Sequence, residues 1–178
     1  MAPTLEIVPY DPGWPGAFAA EQARISDALG PLALRIDHHG STSVPGLAAK
    51  PIIDIQVSVA RLEPMDTYRV PLERLGYVHV PHPDDAFAPF FHRPAAWPYT
   101  HHVHVVTAGG AEERATLAFR DYLREHPDVA RAYESLKRQL APRYSAADFT
   151  SRQAYADAKT EFVSRVTDQA LAEGYPRP

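Results

Sequence analysis

The chain has 178 residues, a formal net charge of −4 and 45% hydrophobic residues, which is too apolar for disorder and enough for a sizeable core, so one domain over residues 1–178 is expected. The slight acidity leaves no footprint for general nucleic-acid binding, and no apolar run approaches the ~20 residues of a membrane span. There is no cysteine, hence no disulfide framework or thiolate zinc site, and Met1-Ala2-Pro3-Thr4-Leu5-Glu6 lacks a signal-peptide pattern; a cytoplasmic location is the expectation.

In chain order, residues 5–8 read as a short strand halted by Pro9 and Pro12. Residues 14–29 carry Phe18, Ala19, Ile25 and Leu29 at helical spacing, and Gly30-Pro31 ends that helix. Residues 32–38 alternate as a strand. A Gly-Ser-Thr-Ser-Val-Pro-Gly loop follows, Gly40 to Gly46, and then a strand over 52–59. A helix over 66–75 closes at Gly76. Strands follow at 77–80, 87–92 and 99–107, with a loop over 81–85, and Gly109-Gly110 ends the last strand. From Glu112 the pattern turns helical. One stripe holds Ala115, Ala118, Phe119, Tyr122 and Leu123. After His126-Pro127 a second holds Val129, Ala130, Tyr133, Leu136 and Leu140. A third holds Tyr155, Ala158, Phe162, Val166 and Ala170. This predicts an α+β fold: a mixed sheet with helices on one face and a helical C-terminal third.

The richest segment is Gly40-Ser41-Thr42-Ser43 through Lys50-Pro51 to the strand that carries Asp54. A Gly-Ser turn with further hydroxyls offers donors to a phosphate, and a strand-borne carboxylate beside it suits Mg²⁺ or another divalent metal. The competing reading is a surface loop before a buried strand. Alternation puts Asp54 and Gln56 on one side of their strand, with Ile53, Ile55 and Val57 on the core side. His102 and His104 likewise share a face. If the two strands are neighbours, a carboxylate and two imidazoles converge, a ligand set that suits a transition metal; otherwise the histidines stand on an open sheet face. His38 joins this group just before the turn, whereas His39 points away as a packed or capping residue. Lys50 and Arg93 are candidates to reach a phosphate or line the cleft. Arg120, Arg124 and Lys137 read as solvated helix residues. Lys159 stands out because Tyr155 shares its face four residues earlier. Asp84-Asp85 reads as a solvated loop pair.

The run His38-x-Gly40-Ser41-Thr42-Ser43-Val44-Pro45-Gly46-Leu47-Ala48-Ala49-Lys50-Pro51-Ile52-Ile53-Asp54-Ile55 resembles the signature of the GrpB family. The likeness continues in His102-Val103-His104-Val105, Phe119-Arg120-Asp121-Tyr122-Leu123-Arg124, His126-Pro127, Tyr133-x-x-Leu136-Lys137 and Tyr155-x-x-x-Lys159-x-x-Phe162. The resemblance implies a cytoplasmic bacterial protein with a nucleotidyltransferase-like fold of the DNA polymerase β type, a domain also known fused behind dephospho-CoA kinase. Active members of that superfamily carry Gly-Ser, a spacer, and Asp-x-Asp or Asp-x-Glu on one strand, with a third acid later. Here Gly40-Ser41 and Asp54 fit with twelve residues between Ser41 and Asp54, but Gln56 replaces the second acid. Its oxygen brings no charge to a metal set of Asp54, Gln56 and His104.

Three readings follow. In the first, a nucleotidyltransferase uses Ser41 and Thr42 on phosphates, Asp54 on Mg²⁺, and His102 or His104 on the acceptor. The second is a module that binds a nucleotide or CoA-like molecule without chemistry. The third is a metal-dependent hydrolase or transferase built on Asp54, His102 and His104.

Overall fold

A computed structural model describes residues 5–177. Residues 1–4, part of the segment scanned for a signal peptide, lie outside the described residues. A five-stranded mixed sheet is combined with six α-helices. In chain order these are α1 (Trp14–Leu29), β1 (Arg35–His39), β2 (Ile53–Val59), α2 (Asp66–Arg74), β3 (Val78–Val80), β4 (Phe90–Arg93), β5 (His101–Thr107), α3 (Ala111–Glu125), α4 (Pro127–Leu140), α5 (Phe149–Asp157) and α6 (Thr160–Ala172).

The sheet order is β1-β2-β5-β4-β3, with β2 and β5 parallel and the other pairs antiparallel. The β2–β5 pairing sets Asp54 opposite His102 and Gln56 opposite His104, while β1 sets His39 opposite Asp54. Cross-strand partners project on the same side of a sheet. The alternation in three strands therefore divides the sheet into an apolar face and a polar one.

The apolar face carries Ile53, Ile55, Val57, Val103, Val105 and Phe91, and packs on Ile25 and Leu29 of α1 and Tyr68 and Leu72 of α2. Ile55, Leu72, Phe91 and Val103 are fully buried, so cutting Ile55 to Ala would cost about 3 kcal/mol through lost transfer energy and the cavity left behind. Helices α1 and α2 thus cover one face as expected. The helical third is held by its own clusters, one joining Val44 and Leu47 of the loop before β2 to Leu123, Ala130 and Tyr133, another joining Ala118 and Tyr122 to Val166 and Ala170.

Several boundaries differ from the sequence reading. Residues 5–8 form no strand; Val8 makes one bridge to Ala49. Gly30–Leu32 closes α1 with a 3₁₀ turn, so β1 starts at Arg35. Pro83–Ala86 is a 3₁₀ turn capped by His82, and β4 starts only at Phe90. The third helical stripe is two helices. The N–H groups of Ala158 and Lys159 bond back to Ala154 and Ala156 and close α5, and Lys159 becomes the residue before α6. No glycine or proline marks this break, and the apolar spacing runs on through it.

Candidate functional site

Five polar side chains from three strands gather around Asp54 on the polar face, His39, Asp54, Gln56, His102 and His104, with Asp37 of β1 and His92 of β4 on the same face by register. Asp54 Oδ1 lies 3.0 Å from His102 Nδ1. Burial opposes ionisation of Asp54, but the hydrogen bond and charge of His102, with His39 and Lys50, outweigh it and hold the carboxyl well below the usual carboxylate range. Burial also lowers two of the imidazoles: His104 to about 3, with His39 reinforcing the effect, and His39 itself. The His39 and His104 rings meet edge to face, 5.5 Å apart. His39 Nε2, Gln56 Nε2 and His102 Nε2 are buried without a hydrogen-bond partner among the described residues.

The two neighbouring histidines of β1 exchange the positions expected of them. His39 belongs to the polar face, because it pairs with Asp54. His38 pairs with Ile55 and projects to the other side, stacked on Phe18 at 4.8 Å with its Nε2 2.9 Å from Thr42 Oγ1. Burial lowers His38 to about 4, the Asp54 carboxylate only partly opposing it, so its ring is a neutral packed group. The alternation of β1 groups Ile36 with His38 on the core side and Asp37 with His39 on the polar side.

At the loop, Gly40 has φ +67 and sits against Asp54; a Cβ there would meet the Cβ and Cγ of Asp54 at 2.9 Å. Only glycine satisfies both the left-handed backbone and that approach. The hydroxyls that follow divide their work. Thr42, 1% exposed, donates to the Ile52 carbonyl at 3.2 Å, and Ser43 donates to the Gly40 carbonyl at 2.6 Å. Arg124 brings two N–H donors to the Ser43 carbonyl at 3.0 and 2.9 Å, and Arg120 donates to the His38 carbonyl. These arginines, expected on the surface, brace the loop. Ser41 is left facing the cavity.

That cavity, about 620 Å³, lies between the polar sheet face, the Gly40–Thr42 turn and helices α3 to α6. Lys50, Lys137 and Lys159 line it. Lys137 is 3% exposed and its Nζ donates to Ser41 Oγ at 2.9 Å and to the Ala48 carbonyl. Burial, with the charges of Arg138 and Lys50, pulls its pKa down to about 7 against the pull of Glu134 and Asp54. Lys159 is also lowered to about 7, by burial and then by Lys50 and Lys137, and its Nζ lies 4.2 Å over the Tyr155 ring. Lys50 is lowered by burial and packs over the same ring at 5.3 Å. Sequence reasoning passed over Lys137. Its signal was position: it falls four residues after Tyr133 and three before Leu140, inside the buried stripe of α4.

Arg93 does not line this cavity. It pairs with His101, on the side of β5 opposite His102, and its guanidinium binds Glu21 at 2.9 Å over the Tyr77 ring. The cation that stands in the cavity instead is Arg152 of α5, 4.5 Å from the Trp97 ring and 5.1 Å from the Tyr99 ring. Of the acidic loop pair, Asp84 lines the cavity rim, while Asp85 bonds His79 at 3.0 Å.

The donors do not suit the Mg²⁺ expected from the sequence. Mg²⁺ favours six oxygens in octahedral geometry. Here the sheet wall of the cavity offers one carboxylate, Asp54, already bonded to His102, among imidazoles and an amide. Among the described residues, no group of three or more His, Asp or Glu is placed to hold a metal ion.

Comparison with known proteins places this geometry in a lineage. The model of a family described as GrpB protein matches residues 4–169. The chain belongs to the GrpB family. A GrpB relative of Pseudomonas aeruginosa, a UPF0157 protein, is 43% identical over 171 residues, covering 94% of this chain and 68% of that one. The crystal structure of the conserved protein GrpB from Enterococcus faecalis superimposes with a TM-score of 0.79 at 34% identity, covering 94% of this chain and 98% of that one. The GrpB chain also matches a dephospho-CoA kinase of Mycolicibacterium paratuberculosis at 33% identity, covering 78% of this chain and 40% of that protein, so the GrpB segment is there joined to a kinase. Among the described residues of this GrpB chain, no helix is long and apolar enough to cross a membrane.

Proposed function

We propose that this GrpB chain binds a nucleotide or CoA-like phosphate ester in the cavity between the polar sheet face and the C-terminal helices. The observation that carries the reading is the trio Lys50, Lys137 and Lys159. All three amines are drawn below their ordinary pKa by burial, and Lys137 finds only neutral oxygens, those of Ser41 and Ala48. Burying ammonium groups without a carboxylate partner is costly, and a polyphosphate offsets that cost. The Gly40–Thr42 turn lies beside them, and the kinase-fused relatives add a CoA-related context. Calorimetry with ATP, GTP and CoA, each with and without Mg²⁺, tests it. The expected result is binding by at least one of them that weakens as salt rises; no heat from any of them at millimolar concentration overturns it.

A second reading, nucleotidyl transfer to a small acceptor on a nucleotidyltransferase-like fold, is favoured by a separate observation. Gly40-Ser41 presses on Asp54, and Asp54 orients His102, whose unpartnered Nε2 is buried on the cavity side of the sheet. A carboxylate-oriented imidazole can take a proton from an acceptor hydroxyl. Incubating the protein with α-labelled ATP and a panel of small alcohols and sugars, and searching for labelled products, checks it. Release of pyrophosphate with a new labelled product supports transfer, and bound nucleotide recovered unchanged leaves binding alone.

A further inference from the structure

Ser41 and Lys137 stand in a relation that phosphate binding does not require. Ser41 opens the turn after the left-handed Gly40 and faces the cavity, while its Oγ lies 2.9 Å from a lysine amine that is 3% exposed. That amine is fixed on two other sides. It donates to the Ala48 carbonyl and lies 4.9 Å over the Tyr133 ring. Burial holds the Tyr133 phenol protonated. A serine hydroxyl touched by a desolvated lysine is the arrangement by which lysine serves as base to a nucleophilic serine.

We propose that Ser41 is a nucleophile that takes a nucleotidyl group from a nucleoside triphosphate, with Lys137 as its base. Ser41 Oγ forms a bond to the α-phosphorus, the bond from that phosphorus to the β-bridging oxygen breaks, and pyrophosphate leaves. The serine proton passes to Lys137 Nζ. The product is a phosphodiester on Ser41; an acceptor hydroxyl or water then attacks its phosphorus, the bond to Ser41 Oγ breaks, Lys137 returns its proton to that oxygen, and the acceptor's proton is released to solvent. Lys50 and Lys159, on the same wall, are placed to face the phosphate oxygens as charge gathers on them. The groups bearing on Lys137 are Glu134 and Arg138 of its own helix, Lys50 and Asp54 at β2, Lys159 before α6, and Tyr133 with Ser41. Their sum leaves the amine close to half neutral near neutral pH, ready to accept a proton.

The donor rests on the phosphate-ester reading above; the nucleophile does not, and the experiment separates them. The wild-type protein is treated with a fluorophosphonate, a phosphorus electrophile that needs no recognition of a base, and in parallel with α-labelled ATP; peptide mass spectrometry locates any adduct. The expected result is a phosphonyl adduct and a nucleotidyl adduct on the Ser41 peptide. With the uncharged fluorophosphonate the rate should rise about tenfold between pH 6 and pH 8 as Lys137 loses its proton, and with ATP the rise should move to higher pH because the bound phosphates raise the lysine's pKa. Lys137→Met should slow labelling about a hundredfold, and Ser41→Ala should abolish it. Absence of both adducts from wild-type protein that binds ATP in calorimetry overturns the proposal and leaves the binding reading standing. A phosphonyl adduct on Ser41 in protein that binds no nucleotide supports the nucleophile and overturns the nucleotide as donor. If Lys137→Met fails to fold, a wild-type labelling rate that is flat across the pH range overturns Lys137 as the base.

Discussion

Asp54 and His102 face each other across the parallel β2–β5 pair, Oδ1 to Nδ1 at 3.0 Å, although forty-seven residues separate them in the chain. The carboxylate is also an anion in the cavity that Lys50, Lys137 and Lys159 line. Asp54→Asn therefore acts in two directions. It should leave phosphate-ester binding unchanged or tighter, since one repulsive charge is gone. It should lower any transfer activity at least a hundredfold, because His102 loses its orienting partner. Calorimetry and a transfer assay on one preparation check both, and weaker nucleotide binding by the folded variant would contradict the placement of the phosphates.

Lys137 and Lys159, both near 7 in the folded protein, give binding a proton signature. An anion beside them favours the charged forms and raises both pKa values. Binding at pH 8 should take up protons, up to about two per ligand, and affinity should fall between pH 7 and pH 9. Calorimetry in buffers of differing ionisation enthalpy reads the number directly. The sign for stability is the reverse. A lysine whose folded pKa is depressed binds fewer protons folded than unfolded, so its contribution improves as pH rises from about 7 toward its ordinary value near 10.4.

Gly40→Ala should be among the more damaging small substitutions in the molecule. It puts a side chain on a backbone at φ +67 and drives a methyl to 2.9 Å from the Asp54 Cβ. Two mechanisms add, so a loss of about 2–4 kcal/mol is expected in urea denaturation. A loss below 0.5 kcal/mol would show that the turn and the strand move apart freely.

Arg124→Met tests the bracing of the loop from outside the cavity. It removes two hydrogen bonds to the Ser43 carbonyl while keeping the aliphatic stem. A cost of about 1–3 kcal/mol is expected, with weaker phosphate-ester binding, although Arg124 does not line the cavity. Unchanged affinity in a destabilised variant would mean that the turn holds its shape unaided.

Much of this site was legible from periodicity. Asp54, Gln56, His102 and His104 alternate against apolar neighbours, and the sheet brings them together as that alternation requires. His38 and His39 were read wrongly although β1 marks its faces, with apolar Ile36 two residues before His38 and Asp37 two before His39. Arg93 misled for a related reason: its charge suggested the cleft, while its register tied it to Glu21 among buried groups. Lys137 was hidden because a lysine on an amphipathic helix is read by its type rather than by its place in the stripe. The break between α5 and α6 is unmarked because Tyr155 and Phe162 keep helical spacing through it.

The two walls of the cavity are made at different moments. Asp54 and the histidines leave the ribosome with the sheet, whereas Lys137, Arg152 and Lys159 follow only with the helices that succeed it. A nascent chain thus has an acidic, imidazole-lined face, with Lys50 beside it, before the cations of the C-terminal helices arrive. On the binding reading proposed above, capture of a phosphate ester waits until the last helices have docked, and it would report that synthesis and folding of this segment are finished.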